Sequence, residues 1–127
     1  MKQFLIIALS AVTLNSCFFK KEYSKSLDGK SVKLYKDKDG KMNMTGTVTE
    51  ESLTRKPFSE WYKKEYNTYR TQTIDKKELK RLLSSVTIEV YFGTWCEDSQ
   101  REVPRFMRML ADLEVDKSKV KLVATIS

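Results

Sequence analysis

The chain has 127 residues, with 24 basic against 17 acidic side chains and a formal charge of +7. That length excludes a large multidomain enzyme and suits one small packed domain; the charge is spread without a dense block, so a solvated face explains it better than a nucleic-acid footprint. Histidine is absent and cysteine occurs only at positions 17 and 96, which excludes Cys-His nucleophile pairs and the usual zinc sets, and no metal or cofactor is expected.

The N-terminus opens with Lys2, a largely apolar run over residues 4–14, and then Leu14-Asn15-Ser16-Cys17. A short cationic head, an export-length core and a small residue before cysteine read as an export signal, and the run is too short to span a bilayer. The last four residues resemble a bacterial lipoprotein signal. The resemblance implies removal of residues 1–16, lipidation of Cys17 and a membrane-anchored chain facing the periplasm. With Cys17 so modified, Cys96 would be the one free thiol and no intramolecular disulfide could form.

Residues 17–56 read as a tether followed by a β-hairpin. Residues 31–36 and 41–49 alternate moderately around Asp37-Lys38-Asp39-Gly40, a turn-forming string. The Asp-x-Asp-Gly pattern does not continue as a calcium loop, because Met42 and Val48 stand where glycine and glutamate are required.

From position 58 the period becomes helical. Phe58, Trp61, Tyr62, Tyr66 and Tyr69 form an aromatic stripe with Pro57 at the first turn, and such stripes usually pack on a core. Asp75 and Glu78 make a capping-box-like start, with Ile74 and Leu79 as a hydrophobic staple, for a helix running to about Leu83. Lys63, Lys64, Arg70, Lys76, Lys77, Lys80 and Arg81 read as the solvated face of the helices over 63–81, and an anionic membrane nearby would attract them.

The most informative segment is 86–104. Val86, Ile88, Val90 and Phe92 recur with period two, as in a strand with one buried face. Gly93 breaks the run. From Cys96 onward Val103, Phe106, Met107, Leu110 and Leu113 fall at helical spacing, with Arg101, Arg105, Arg108 and Asp112 largely on other faces. Cys96 therefore starts a helix, where unpaired N–H groups and the positive end of the helix dipole favour a thiolate. Glu97 and Asp98 oppose that effect as neighbouring anions, so the spacing alone leaves the direction of the thiol pKa open.

Trp95 directly before Cys96, Glu102 six residues after it and Pro104 eight residues after it resemble the Trp-Cys-x-x-Cys-x-x-Glu-x-Pro pattern of the thioredoxin superfamily, in its exported, membrane-tethered thiol-disulfide oxidoreductases. The segment from 58 onward, including Glu60-Trp61-Tyr62 and Trp95-Cys96-Glu97-Asp98-Ser99, is similar to a group of thioredoxin-like lipoproteins of the Bacteroidetes that keep Trp-Cys-x-Asp-Ser. The resemblance implies an α/β, thioredoxin-like three-layer sandwich over 57–127, with Cys96, Trp95 and Ser99 at the site, Glu102 and Pro104 beside it, and a cell-envelope location. Ser99 occupies the place of the resolving cysteine. A hydroxyl cannot release a mixed disulfide, so dithiol oxidation within the motif is excluded. Val90 likewise replaces the buried acid that assists the second cysteine.

Residues 120–126 read as the next parallel strand, and the sheet is expected to stop there, truncated relative to the full fold, with an open edge prone to association. Three functions fit these readings. The first is a monothiol protein exchanging disulfides with envelope protein thiols or small thiols. The others are a non-catalytic binding module and an inactive fragment. The oligomeric state is open.

Overall fold

A computed structural model describes residues 32–72 and 75–126, together with the short strand β1 (Tyr23–Ser24). Cys17 and Ile74 lie outside the described residues, so lipidation and the Ile74–Leu79 staple are not addressed by them. The fold is mixed α/β: β2 (Lys33–Lys36), β3 (Met42–Val48), α1 (Glu50–Leu53), α2 (Ser59–Thr68), α3 (Lys76–Ser84), β4 (Ile88–Phe92), α4 (Glu97–Asp112) and β5 (Val120–Ala124) follow in chain order. No described helix is long and apolar enough to cross a membrane.

The expected hairpin forms as β2 and β3, paired antiparallel with Leu34 opposite Met44. Its turn is closed by Asp37, whose carboxylate accepts the N–H groups of Asp39 and Lys41, both at 2.9 Å. Gly40 completes the turn at φ +77°, a left-handed backbone conformation in which glycine bears no Cβ penalty.

The sheet order is β1-β2-β3-β5-β4. β3 runs antiparallel to β5, with Val48 opposite Leu122, and β5 runs parallel to β4, with Val90 opposite that same Leu122. The hairpin is therefore part of the same sheet as β4 and β5, and β3 is held by a strand that follows it by more than seventy residues. β4 lies at one edge of the sheet.

One hydrophobic core unites the hairpin, the helices and one sheet face. Met44, Val48, Leu53, Phe58, Tyr62, Phe92, Met107, Leu110, Leu122 and Ala124 are all buried in it, and Leu79 and Leu83 of α3 pack against it. On the opposite face Glu89, Tyr91 and Lys121 are exposed.

The aromatic stripe turns inward as expected. Phe58 and Tyr62 are buried, Trp61 and Tyr66 half-buried, and the Tyr62 and Tyr66 rings stack at 5.9 Å. Pro57 precedes the helix instead of opening it, in a turn tightened by the Phe58 and Ser59 N–H groups donating to Arg55 O. Asp75 caps α3 by accepting the Glu78 N–H at 3.1 Å, and Lys63, Lys64, Arg70, Lys76, Lys77 and Arg81 are exposed. Val86 falls outside β4, because its N–H donates to Leu83 O and so belongs to the end of α3.

Helix α4 packs chiefly on α2. Val103, Pro104, Met107 and Leu110 form its buried side, and Arg105 reaches Glu65 of α2 through Nε and Nη2 at 3.0 and 2.8 Å.

Candidate functional site

Strand β4 ends at Phe92, and the chain turns through Gly93, Thr94 and Trp95 before α4 starts. Cys96 is the N-cap residue of α4, with extended φ and ψ of −93° and 121°. Its N–H donates to Gly93 O at 3.1 Å, and its carbonyl accepts the Gln100 N–H at 2.9 Å. The thiol is half-buried and free.

Cys96 is held below the ordinary thiol range, and Ser99 is the main cause. The Ser99 backbone N–H acts first and the Ser99 hydroxyl second, while burial opposes them; the Asp98 N–H also lowers the pKa and the Asp98 carboxylate raises it. N–H and O–H groups facing the thiol at a helix start favour its thiolate form. The helix start prevails over the neighbouring anion, which settles the direction that sequence spacing left open.

Ser99 has a second contact. Its hydroxyl oxygen accepts the Gly93 N–H at 3.2 Å, which ties the first turn of α4 back to the end of β4. Ser99 therefore ties the turn through its hydroxyl and lowers the Cys96 pKa first through its backbone N–H and second through its hydroxyl.

Trp95 is 44% exposed, and its indole N–H donates to Thr125 O at 3.1 Å. The ring lies over Gly93: a Cβ at that position would stand 2.5 Å from Trp95 Cε2, closer than packed carbon atoms approach. Glycine is thus required there by the indole rather than by backbone torsion. Thr125 in turn donates its N–H to Phe92 O at 2.8 Å, so the end of β5 holds both the indole and the strand leading into the turn.

Pro104 is fully buried inside α4. Glu102 is exposed and pairs with Arg101 at 2.6 Å and Arg105 at 3.6 Å, so it belongs to a surface ion-pair row one helical turn beyond Ser99. Between α4 and the edge strand β4 runs a groove of about 310 Å³, lined by Val90, Tyr91, Phe92, Asp98, Ser99, Glu102, Val103 and Phe106. Among the described residues no group of His, Cys, Asp or Glu side chains could hold a metal ion.

The structure places Trp95, Cys96 and Ser99 at the turn into α4 and braces that turn with residues the sequence pattern did not single out. Thr94 is 3% exposed, and its hydroxyl donates to Asn43 Oδ1 at 3.0 Å while accepting the Met44 N–H at 3.1 Å. Gln100 Nε2 donates to Thr94 O at 2.7 Å. The one advance signal was Asn43 itself, since asparagine is depleted inside strands and needs partners when buried.

No family model matches the chain, and neither a curated protein nor a solved structure matches it.

Proposed function

We propose that the chain is an exported, thioredoxin-like lipoprotein of the cell envelope, anchored through Cys17, whose single thiol Cys96 exchanges disulfides with envelope protein thiols or small thiols. The observation that carries this reading is the placement of Cys96 at the start of α4, with Ser99 N–H and hydroxyl lowering its pKa. The strand-turn-helix-parallel-strand path from β4 through α4 to β5 supports a thioredoxin-like arrangement. In a three-layer sandwich, further structure would cover the face bearing Glu89 and Tyr91.

The chemistry follows from one thiol. The Cys96 thiolate attacks one sulfur of a partner disulfide, a bond forms between Cys96 Sγ and that sulfur, and the other partner sulfur leaves as a thiolate that takes up a proton. No net oxidation occurs in this exchange. Ser99 cannot expel the bound partner, so a second external thiol must attack the mixed disulfide, releasing Cys96 as thiolate. The protein thus passes a disulfide between partners and stores none within its motif.

The test is the pH dependence of Cys96 alkylation in the full chain carrying Cys17→Ser, which leaves one thiol, compared with the same chain in urea. An apparent pKa in the folded protein below that in urea is the expected result. Superimposable profiles would remove the basis for disulfide exchange and favour a non-catalytic binding module.

A further inference from the structure

The buried polar side chains behind the motif turn form a continuous line from the hairpin to the helix. Asn43 is 2% exposed, yet both Nδ2 hydrogens and its oxygen are engaged: Nδ2 donates to Asp37 Oδ2 at 3.1 Å and to Lys41 O at 3.3 Å, and Oδ1 accepts from Thr94 Oγ1. The amide orientation is determined by these partners. Rotated by half a turn, its oxygen would face a carboxylate and a carbonyl, acceptor against acceptor. Asp37 is itself held below the usual carboxylate range: burial opposes this, but the N–H groups of Lys41 and Asp39 and the Asn43 amide outweigh it.

Thr94 is gripped at both its hydroxyl and its carbonyl, the first by β3 and the second by Gln100 in the first turn of α4. It lies two residues before Cys96. The Gly93 peptide ahead of it is tied to Ser99, and the Trp95 ring behind it to Thr125. Among the described residues, the side-chain hydrogen bonds from this turn to β3 are those of the Thr94 hydroxyl.

We propose that Asn43 is a positioning residue for the Cys96 thiol: through the Thr94 hydroxyl it sets the turn that places Sγ against the first turn of α4. The inference rests on the reading of Cys96 as a reactive thiol. It makes the hairpin, which contributes no group to the chemistry, a determinant of thiol reactivity. A purely structural role for Asn43 and Thr94 predicts lower stability and an unaltered thiol.

The test uses the full chain with Cys17→Ser and reads two quantities, the thermal midpoint and the pH profile of Cys96 alkylation by iodoacetamide. Thr94→Val and Asn43→Ala should raise the apparent Cys96 pKa toward its value in urea and slow alkylation at neutral pH roughly three- to tenfold, the change in thiolate fraction for a rise of about half to one pH unit. Thr94→Ser should restore the parent profile. Asp37→Ala, at the hairpin turn, removes one of the two acceptors that orient the Asn43 amide and should shift the profile in the same direction; it keeps the test decisive where a buried variant does not fold. Lower midpoints with unchanged profiles in the folded variants would overturn the inference. A parent protein whose folded and urea profiles already coincide would instead overturn the reading of Cys96 on which it rests.

Discussion

Replacing Met44 by alanine asks whether the hairpin belongs to the folded domain. Met44 is 0% exposed, lies in β3 opposite Leu34, and joins the cluster containing Val48, Leu53, Tyr62 and Leu122. Truncating a fully buried methionine removes its transfer free energy and leaves a cavity that closes only partly, a loss of about 2–5 kcal/mol. Against a total of about 5–15 kcal/mol for a small domain, this is a large fraction. With a urea m-value of about 1–1.5 kcal/mol/M, a loss in the middle of that range lowers the denaturation midpoint by about 2 M or more. The assay is urea unfolding followed by tryptophan fluorescence, since Trp61 packs against the core and Trp95 seals the motif turn. Lys38→Ala on the exposed turn is the control, expected within about 0.5 kcal/mol of the parent. A Met44→Ala midpoint within that same margin would mean that the hairpin is a detachable tether, and the continuous sheet described above would be wrong.

Three further outcomes are expected. Tyr62 donates its hydroxyl to Glu50 Oε1 at 2.9 Å, and burial first, then the Glu50 charge and this hydrogen bond, push its pKa well above the ordinary value; the associated stabilisation is complete below the unfolded value of about 10 and is lost as pH rises above it, so absorbance titration at 295 nm should show Tyr62 ionising only with unfolding, and Tyr62→Phe should reduce the amplitude of that late step. Arg105→Ala should cost about 1 kcal/mol in urea unfolding, because its ion pair with Glu65 joins α4 to α2 at a partly buried site where 35% and 17% of the two side chains remain exposed; an unchanged midpoint would assign the helix contact to apolar packing alone. Ser99→Cys places a second thiol one turn from Cys96, and mild oxidant should then yield an intramolecular disulfide, read as a two-dalton mass loss in the chain with Cys17→Ser; failure to form it would show that the two positions do not face each other as Ser99 and Cys96 do here.

Short-range patterns were legible in the residues. The alternation from Val86 to Phe92, the Asp37-to-Gly40 turn, the Asp75 cap and the helical apolar spacing after Cys96 each involve groups a few residues apart, so each can be read from a window, and each forms as read except that Val86 falls outside the strand. The same locality set Cys96 at a helix start and Ser99 one turn on. Even the aromatic stripe told which side of α2 would be buried, because helical periodicity alone places Phe58, Tyr62 and Tyr66 on one face.

The sequence by itself therefore determined the elements and the composition of the motif turn: a strand, a Trp-Cys turn, a helix with Ser99 one turn beyond the cysteine. Tertiary structure alone decided that β3 inserts beside β5, that Thr94 meets Asn43 fifty-one positions away, and that the Trp95 indole is caught by Thr125. It also decided the sign of the thiol shift, where Ser99 prevails over Asp98. The physical reason is common to all four. Strand partners and buried polar pairs are selected by shape and hydrogen-bond satisfaction across long sequence separations, and a pKa is a balance of distances that no local pattern encodes.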